Sequence, residues 1–490
     1  MQTQGDIPLS APKSPREFLC TKFLWAFLIS SSTILAEAPV LSVDVGFVPE
    51  MGGSFKARAE GTTQRNFFYV GREKRLVILD DTLKILQTIH LLNETAAIDF
   101  ADLNGDQNDD LIEMTQNGIF KRSLVAGKFG EAERIIQDKL ALPLYVDNLE
   151  QSRLTLDYDR DGFTDFFLPA EGKFLVYHND GGKKFTREKI LPYQPRGSFT
   201  NRLWQNSDLP SNSIRSSVII PQPAFLDFNN DGILDAAARV DERIYYFLSQ
   251  PAPQNSGKPV IIQPFAETIL KIYPMPQEDI YVAYSEFVDF DGDGNLDLVY
   301  SAVKGLGLNI RVDMKVFKGV KSIPDPAKPI EHSVKGGVFS PLVASMKKRR
   351  LLLLPTVDTG LGFFINYIIR SKVSLTLQLI DPIATKDNPL EKTTLTFDSK
   401  ESAVPGFTYG DFNNDGQTDF VLGTEFNGIT VFGGNDDFSK KEIAKINAPA
   451  YGIFKAVTNA DKSHALFIFM TQKSKADKKT AVYLAPIEIR

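Results

Sequence analysis

Four carboxylates stand within nine residues in the stretch FVDFDGDGNLDLVYS, residues 287–301: Asp289, Asp291, Asp293 and Asp297. Carboxylates this close repel one another, and their ionised forms are costly to hold together without a cation. A hard cation that prefers oxygen ligands removes that cost, and Ca²⁺ is the usual one. The pattern occurs four more times. DLNGDQNDD puts Asp102, Asn104, Asp106 and Asp110 at positions 1, 3, 5 and 9, and DYDRDGFTD does the same with Asp157, Asp159, Asp161 and Asp165. DFNNDGILD supplies Asp227, Asn229, Asp231 and Asp235, and DFNNDGQTD supplies Asp411, Asn413, Asp415 and Asp419.

The spacing is itself a mechanism. Side chains at positions 1, 3 and 5 converge when the backbone curls round an ion, glycine at position 6 permits the sharp bend, position 7 offers its carbonyl, and position 9 closes the shell. Asn108, Phe163, Ile233, Asn295 and Gln417 stand at position 7, where no acid is needed. The first loop departs from the pattern, with Gln107 where glycine is expected. An EF-hand would need glutamate at position 12 between two helices. Glu113 is there in the first loop, but Leu168, Ala238, Tyr300 and Leu422 are there in the others. Asp-Gly and Asn-Asp clusters are also ordinary hairpin turns. That reading serves for one loop but not for five of the same spacing, so the chain is expected to bind up to five Ca²⁺ ions.

Each loop must be held by strands. An apolar or aromatic pair precedes it, as in Phe225-Leu226 and Phe287-Val288, and a short apolar run follows, as in LDLVYS and TDFVLG. A second strand then reads like KFLVYHN or GITVFG, followed by a polar turn and a third strand. Loop starts are separated by 55, 70, 62 and 122 residues, and the last gap is close to a double period. Repeats of this length indicate a propeller or a similar array. Segments 66–86, 346–367 and 457–472 read as repeats without ligands, giving eight units. Strands from the two termini could share one blade, which leaves seven or eight. The apolar run 351–369 is broken by Pro355, Asp358 and Asn366 and reads as two buried strands, not a membrane span.

With its preceding aromatic pair and following apolar run, D-x-[DN]-x-D-G-x-x-D resembles the FG-GAP/VCBS repeat, the calcium-binding blade of the integrin α-subunit propeller. The resemblance runs from about Val43 to Arg490. It implies an all-β fold, a β-propeller of seven or eight blades, with structural ions in hairpin loops and binding through one face of the ring. The family includes adhesins, lectin-like proteins and lyases, so function does not follow from fold.

Lys13, Arg16 and Lys22 precede the apolar run 23–35, and Ala36-Glu37-Ala38 reads as a cleavage site. Residues 1–38 are therefore expected to be a signal peptide and 39–490 a single propeller domain. The protein is expected to be exported (periplasmic, cell-surface or secreted), with no transmembrane anchor after cleavage. The one cysteine, Cys20, precedes that run, so the mature chain would have no disulfide and calcium would do the stapling. Net charge is −6, which argues against nucleic acid as a partner. Five Ca²⁺ ions would take the loaded chain to about +4, so the acidity is mostly ligand charge.

Enzyme signals are sparse. His90, His178, His332 and His464 show no metal-ligand spacing, His178 falls in a polar turn, and neither a G-x-S-x-G elbow nor a phosphate loop occurs. No catalytic residue is nominated. The reading is a binding, adhesion or protein-interaction module for a protein or glycan ligand, with a polysaccharide lyase-like carbohydrate-active enzyme on the same scaffold as the alternative. Candidate binding connections are 192–217, irregular and containing Tyr193, Arg202 and Trp204, and 273–281.

Overall fold

The computed structural model describes residues 39–489 other than 59–62, 144–148, 192–195, 204–211, 220–223, 241–242, 252–259, 270–279, 306–309, 321–322, 326, 339–340, 347–348, 358–371, 385–390, 399–405, 426–427, 435–441 and 471–480. The compact unit spans Pro39–Arg490. Among the described residues there is no helix, and so none long and apolar enough to cross a membrane.

Eight antiparallel sheets follow one another along the chain, forming an eight-bladed β-propeller. The first blade is Met51–Arg58, Gln64–Arg72, Arg75–Leu79 and Ile85–His90. The second begins with Thr95–Ala101, Asp110–Thr115 and Gly118–Arg122, and the third with Thr155–Leu156, Asp165–Ala170 and Lys173–Asp180. Ala224–Leu226, Asp235–Val240 and Arg243–Pro251 open the fourth, and Ile280–Val288, Asp297–Lys304 and Arg311–Phe317 open the fifth. The sixth contains Leu342–Met346, Arg349–Val357 and Lys372–Ile380, and the seventh Phe407–Gly410, Asp419–Glu425 and Gly428–Phe432. The eighth is Ile453–Thr458, His464–Phe469 and Ala481–Ile487, completed by Leu41–Asp44 from the other end of the chain. The termini do share a blade, and the count is eight.

The second strand of each blade explains the unbroken apolar runs. A strand sends alternate side chains to opposite faces, and here each face packs on a different neighbouring blade. Phe166 and Leu168 join a core with Ile112 and Met114 of the second blade, while Phe167 joins one with Ala236 and Phe247 of the fourth. Leu298 faces the fourth blade beside Tyr246, and Val299 faces the sixth beside Leu352 and Leu354. The leucine run 351–354 is one such strand, alternating between the fifth and seventh blades. The rest of the run, from 358, lies outside the described residues. Eight such cores, one between each pair of successive blades, close the ring. The closing core joins Phe467, Phe469 and Val482 to Phe68 and Val70, with Phe68 and Phe467 stacked at 4.8 Å. Each fully buried side chain of this size contributes about 1.5–3 kcal/mol.

One segment departs from expectation. Overlapping 192–217, Arg196–Leu203 pairs with Asn212–Ile219 over eight residue pairs, as a hairpin that belongs to no blade. Trp204 and Tyr193 lie outside the described residues, as does the connection 273–281 up to residue 279.

The core between the fourth and fifth blades contains a defect. Tyr246 is 1% exposed, meets Phe228 edge-on at 5.3 Å, and its hydroxyl has no hydrogen-bond partner among the described residues. A buried unmatched polar group costs about 1–3 kcal/mol. Tyr246→Phe is therefore expected to raise stability by about 1 kcal/mol, read as a higher denaturation midpoint at unchanged slope. A loss of that size instead would mean that the hydroxyl has a partner.

Candidate metal centres

All five acidic loops occupy one place in the blade, between the first and second strands: 102–110 in the second blade, 157–165 in the third, 227–235 in the fourth, 289–297 in the fifth and 411–419 in the seventh. The first, sixth and eighth blades lack them. In the sixth, Met346 pairs directly with Arg349, and in the eighth a five-residue turn closes through Asp461, whose carboxylate takes the Ser463 N–H at 2.9 Å.

Backbone geometry is shared down to individual bonds. The carboxylate at position 1 accepts from the position-6 amide in every loop: Gln107 to Asp102 at 2.7 Å, Gly162 to Asp157 at 3.0 Å, Gly232 to Asp227 at 2.8 Å, Gly294 to Asp289 at 3.1 Å and Gly416 to Asp411 at 2.9 Å. Position 5 accepts from position 7 at 2.8 Å in all five, through Asn108, Phe163, Ile233, Asn295 and Gln417. Two residues in each loop are left-handed. Position 6 has φ of 68° at Gln107 and 80–93° at the four glycines. Gln107 thus takes the same turn without the glycine, held by Arg58 Nη2 on its side chain and Gln64 Nε2 on its carbonyl. Position 4, which the spacing did not single out, is left-handed too, at Gly105, Arg160, Asn230, Gly292 and Asn414. Glycine and asparagine bear that conformation most easily.

Position 4 also links the loops. Arg160 donates to the carbonyl of Gly232 at 3.0 Å, and Asn230 to that of Gly294 at 2.7 Å. Gly105 faces the ring of Phe163, which a Cβ would meet at 3.0 Å. Each contact runs from one loop to the next.

The aspartate at position 9 is a structural hub. Asp165, Asp235, Asp297 and Asp419 are 0–1% exposed. One oxygen accepts the position-2 amide: Tyr158 at 3.3 Å, Phe228 at 2.9 Å, Phe290 at 3.0 Å and Phe412 at 2.8 Å. The other accepts an amide from the far side of the blade: Asn179 at 2.8 Å, Ser249 at 2.7 Å, Gly319 at 2.8 Å and Gly434 at 2.8 Å. Asp110 takes Leu124 N–H at 3.3 Å, and its Oδ2 is buried with no partner among the described residues. The position-2 side chain is buried in each loop, as at Leu103, Tyr158 and Phe228.

Charge accumulates where these oxygens meet. Asp157, Asp159 and Asp161 bring ligand atoms within 4.8 Å of one another, as do Asp289, Asp291 and Asp297. Burial, more than the neighbouring acids, pushes the carboxyls of Asp110 and Asp159 up to about 6 and that of Asp165 up to about 8. An oxygen-rich cluster that resists ionising in this way is suited to a hard divalent cation. Glu113 takes no part: its carboxylate receives Arg122, Thr95 and Leu92, which rules out the EF-hand arrangement. Asp109, off the ligand pattern, ties the first loop to the first blade through Lys56 N–H at 2.7 Å.

Two further side chains reach the loops. Lys318 Nζ lies 2.6 Å from Asp291 Oδ2, and the ammonium holds that carboxyl below its ordinary range. His178 is not in a surface turn. It stands on the strand Lys173–Asp180, 12% exposed, with Nδ1 3.1 Å from Asp159 Oδ2 and 3.4 Å from Asp165 Oδ1. The strand-end alignment of His178-Asn179, Lys318-Gly319 and Gly433-Gly434 was the signal for both, hidden by variable spacing from position 9.

No protein-family model matches the chain, and a search of curated proteins finds no match. Several solved structures are similar at low identity. An Agrocybe aegerita lectin that recognises non-reducing terminal N-acetylglucosamine is 12% identical, with 91% of this chain and 99% of that one covered at a TM-score of 0.45. The V. cholerae biofilm matrix protein Bap1 is 10% identical over 88% of this chain and 76% of its own, at 0.28. The Dos1 propeller is 10% identical over 86% and 75%, at 0.29.

If position 9 holds the fold whether or not a cation is bound, then in chelator Asp235→Ala, which strands two buried amides, should cost at least about 2 kcal/mol more than Asp231→Ala on the exposed side of the same loop. Chemical denaturation of the two variants measures this. Equal costs would reduce position 9 to a ligand like the others.

Proposed function

We propose that this chain is an exported propeller of the FG-GAP/VCBS type that binds a protein or glycan partner, with up to five Ca²⁺ ions holding its loops. The observation that carries the metal reading is the convergence of carboxylates, some buried and some exposed, at one blade position, joined by Asp110 Oδ2, which has no partner among the described residues. The ions would be held by the side chains at positions 1, 3, 5 and 9 and the carbonyl at position 7, an all-oxygen set that suits a hard cation. When bound, calcium supplies charge neutralisation and nothing else. The residues do the rest: positions 4 and 6 set the turn, and position 9 joins it to the blade.

A binding role is supported by a closed ring, which leaves few free strand edges, and by the hairpin Arg196–Leu203 with Asn212–Ile219, which adds backbone to no blade. Export is supported by the charge, apolar run and small residues of 1–38. Mass spectrometry of secreted protein tests this, with a mature terminus at Pro39 expected.

Calcium should raise the thermal midpoint, because each independent site at a hundredfold excess over Kd stabilises the native state by about 2.7 kcal/mol. The pH dependence has a definite sign. Raised carboxyl pKa values stabilise the metal-free fold below about pH 4, and that contribution is lost as pH rises through 6 to 8 for Asp110, Asp159 and Asp165. The ionised loops are the ones that take a cation. The gap between calcium-loaded and chelated midpoints should therefore widen from pH 5 to pH 8, and a constant or narrowing gap contradicts the assignment.

A glycan array and a pull-down with calcium present would identify the partner. Replacing residues 198–217 by a short turn should abolish that binding at an unchanged melting temperature. Retained binding would place recognition elsewhere on the ring, and a glycan that shortens on incubation would replace the binder with a carbohydrate-active enzyme.

A further inference from the structure

One residue position distinguishes the five loops chemically. The amide that reaches position 9 from the far side of the blade belongs to Leu124, Asn179, Ser249, Gly319 or Gly434. The residue just before it is Ser123, His178, Leu248, Lys318 or Gly433. Two of these are long and polar, and both turn toward the acids: Lys318 onto Asp291 and His178 between Asp159 and Asp165.

The two behave differently. Lys318 forms a short ion pair. Nδ1 of His178 is buried and makes no hydrogen bond among the described residues, although carboxylate oxygens lie 3.1 and 3.4 Å away. A nitrogen at that distance from two acceptors, aligned with neither, has the geometry of a ligand that shares a cation with them. The three ligand atoms lie within 4.8 Å of one another. Tetrahedral zinc bonds of about 2.0–2.2 Å set neighbouring donors about 3.3–3.6 Å apart, within a few tenths of an ångström of both separations. The carboxylates are dry, at 1% and 0% exposed. Calcium takes oxygen ligands, whereas imidazole suits zinc and its neighbours.

We infer that Asp159, Asp165 and His178 form a mixed nitrogen–oxygen site for a zinc-class divalent ion, making the third-blade loop unlike the other four. The inference rests on the reading of these loops as cation sites. Asp159 belongs both to this triad and to the Asp157, Asp159, Asp161 cluster, so the loop holds either a zinc-class ion or calcium.

The test uses the metal-stripped 39–490 chain and Zn²⁺ itself, titrated calorimetrically with saturating Ca²⁺ present. One Zn²⁺ should bind and one Ca²⁺ should leave. His178→Ala should weaken zinc at least tenfold and leave calcium stoichiometry unchanged, while His464→Ala should change neither. Zinc-edge absorption spectroscopy of the wild-type chain should show one imidazole among oxygen ligands, which keeps the test valid if the His178 variant folds poorly. Zinc uptake that ignores His178, or a zinc shell without nitrogen, overturns the inference. Calcium filling every loop while zinc stays out overturns it and leaves the calcium reading standing. Zinc bound through His178 by a chain that takes no calcium does the reverse.

Discussion

The fold depends on a buried charge. In four blades an aspartate with 0–1% exposure sits where the acidic loop meets the second strand, and its oxygens tie the loop amide to an amide across the blade. No neutral side chain of that size accepts two such bonds from opposite sides. Holding the carboxylate there is costly in proportion to its burial, and the other acids of the loop add to that cost. The acids at positions 1, 3 and 5 therefore bring charge that the hub itself resists. Under the proposed function a cation reconciles the two, so ligand spacing and blade architecture are one constraint. Position 3 alternates between Asp and Asn, with Asn229 donating to Asp231 at 2.9 Å. Position 9 does not alternate in this way, and in four of the five loops amides hang from both of its oxygens.

Two of the three blades without a loop are gripped by neighbours that have one. The first is held by the second blade's loop, through Asp109 on Lys56 and Asn108 on the Arg58 amide. The sixth is held on both sides: Thr418 of the fifth loop exchanges bonds with Ser345, and Arg350 reaches the carbonyl of Asp289. The eighth receives Asn66 from the first blade on the carbonyl of Thr458. The loops thus act between blades as well as within them, and the interblade cores need not carry the register of the ring alone.

The 1-3-5-9 spacing, the flanking strands, the ligand-free repeats and the terminal blade were all legible in the sequence, because each follows from local periodicity. What was not legible depends on contacts made at a distance. Asp109 looked like a surplus acid, and its bond to Lys56 joins residues 53 apart. The left-handed position 4 was partly readable from Gly105, Asn230, Gly292 and Asn414, but Arg160 concealed it. The segment after the third blade read as irregular, because a hairpin that belongs to no blade lacks the pattern set by a buried face. His178 and Lys318 were invisible for a geometric reason. The strand end that carries them follows position 9 by 14 residues in one blade and 22 in the other.

That last position changes what a complete motif means. By sequence, the loop at 289–297 is as complete as any, sharing with 157–165 an acid at positions 1, 3, 5 and 9. By structure it already holds a tethered positive charge, since Lys318 pairs with Asp291 at 2.6 Å. An internal ammonium offsets part of the repulsion that a free cation would otherwise relieve, and a cation entering there must displace it. The loop at 411–419 has Gly433 in the same place, with no side chain to compete. Motif completeness and the charge already held beside the loop therefore vary independently along this chain. The backbone of the loop is common to all five copies, and what differs beside them is the residue on a neighbouring strand: Lys318, His178 or Gly433.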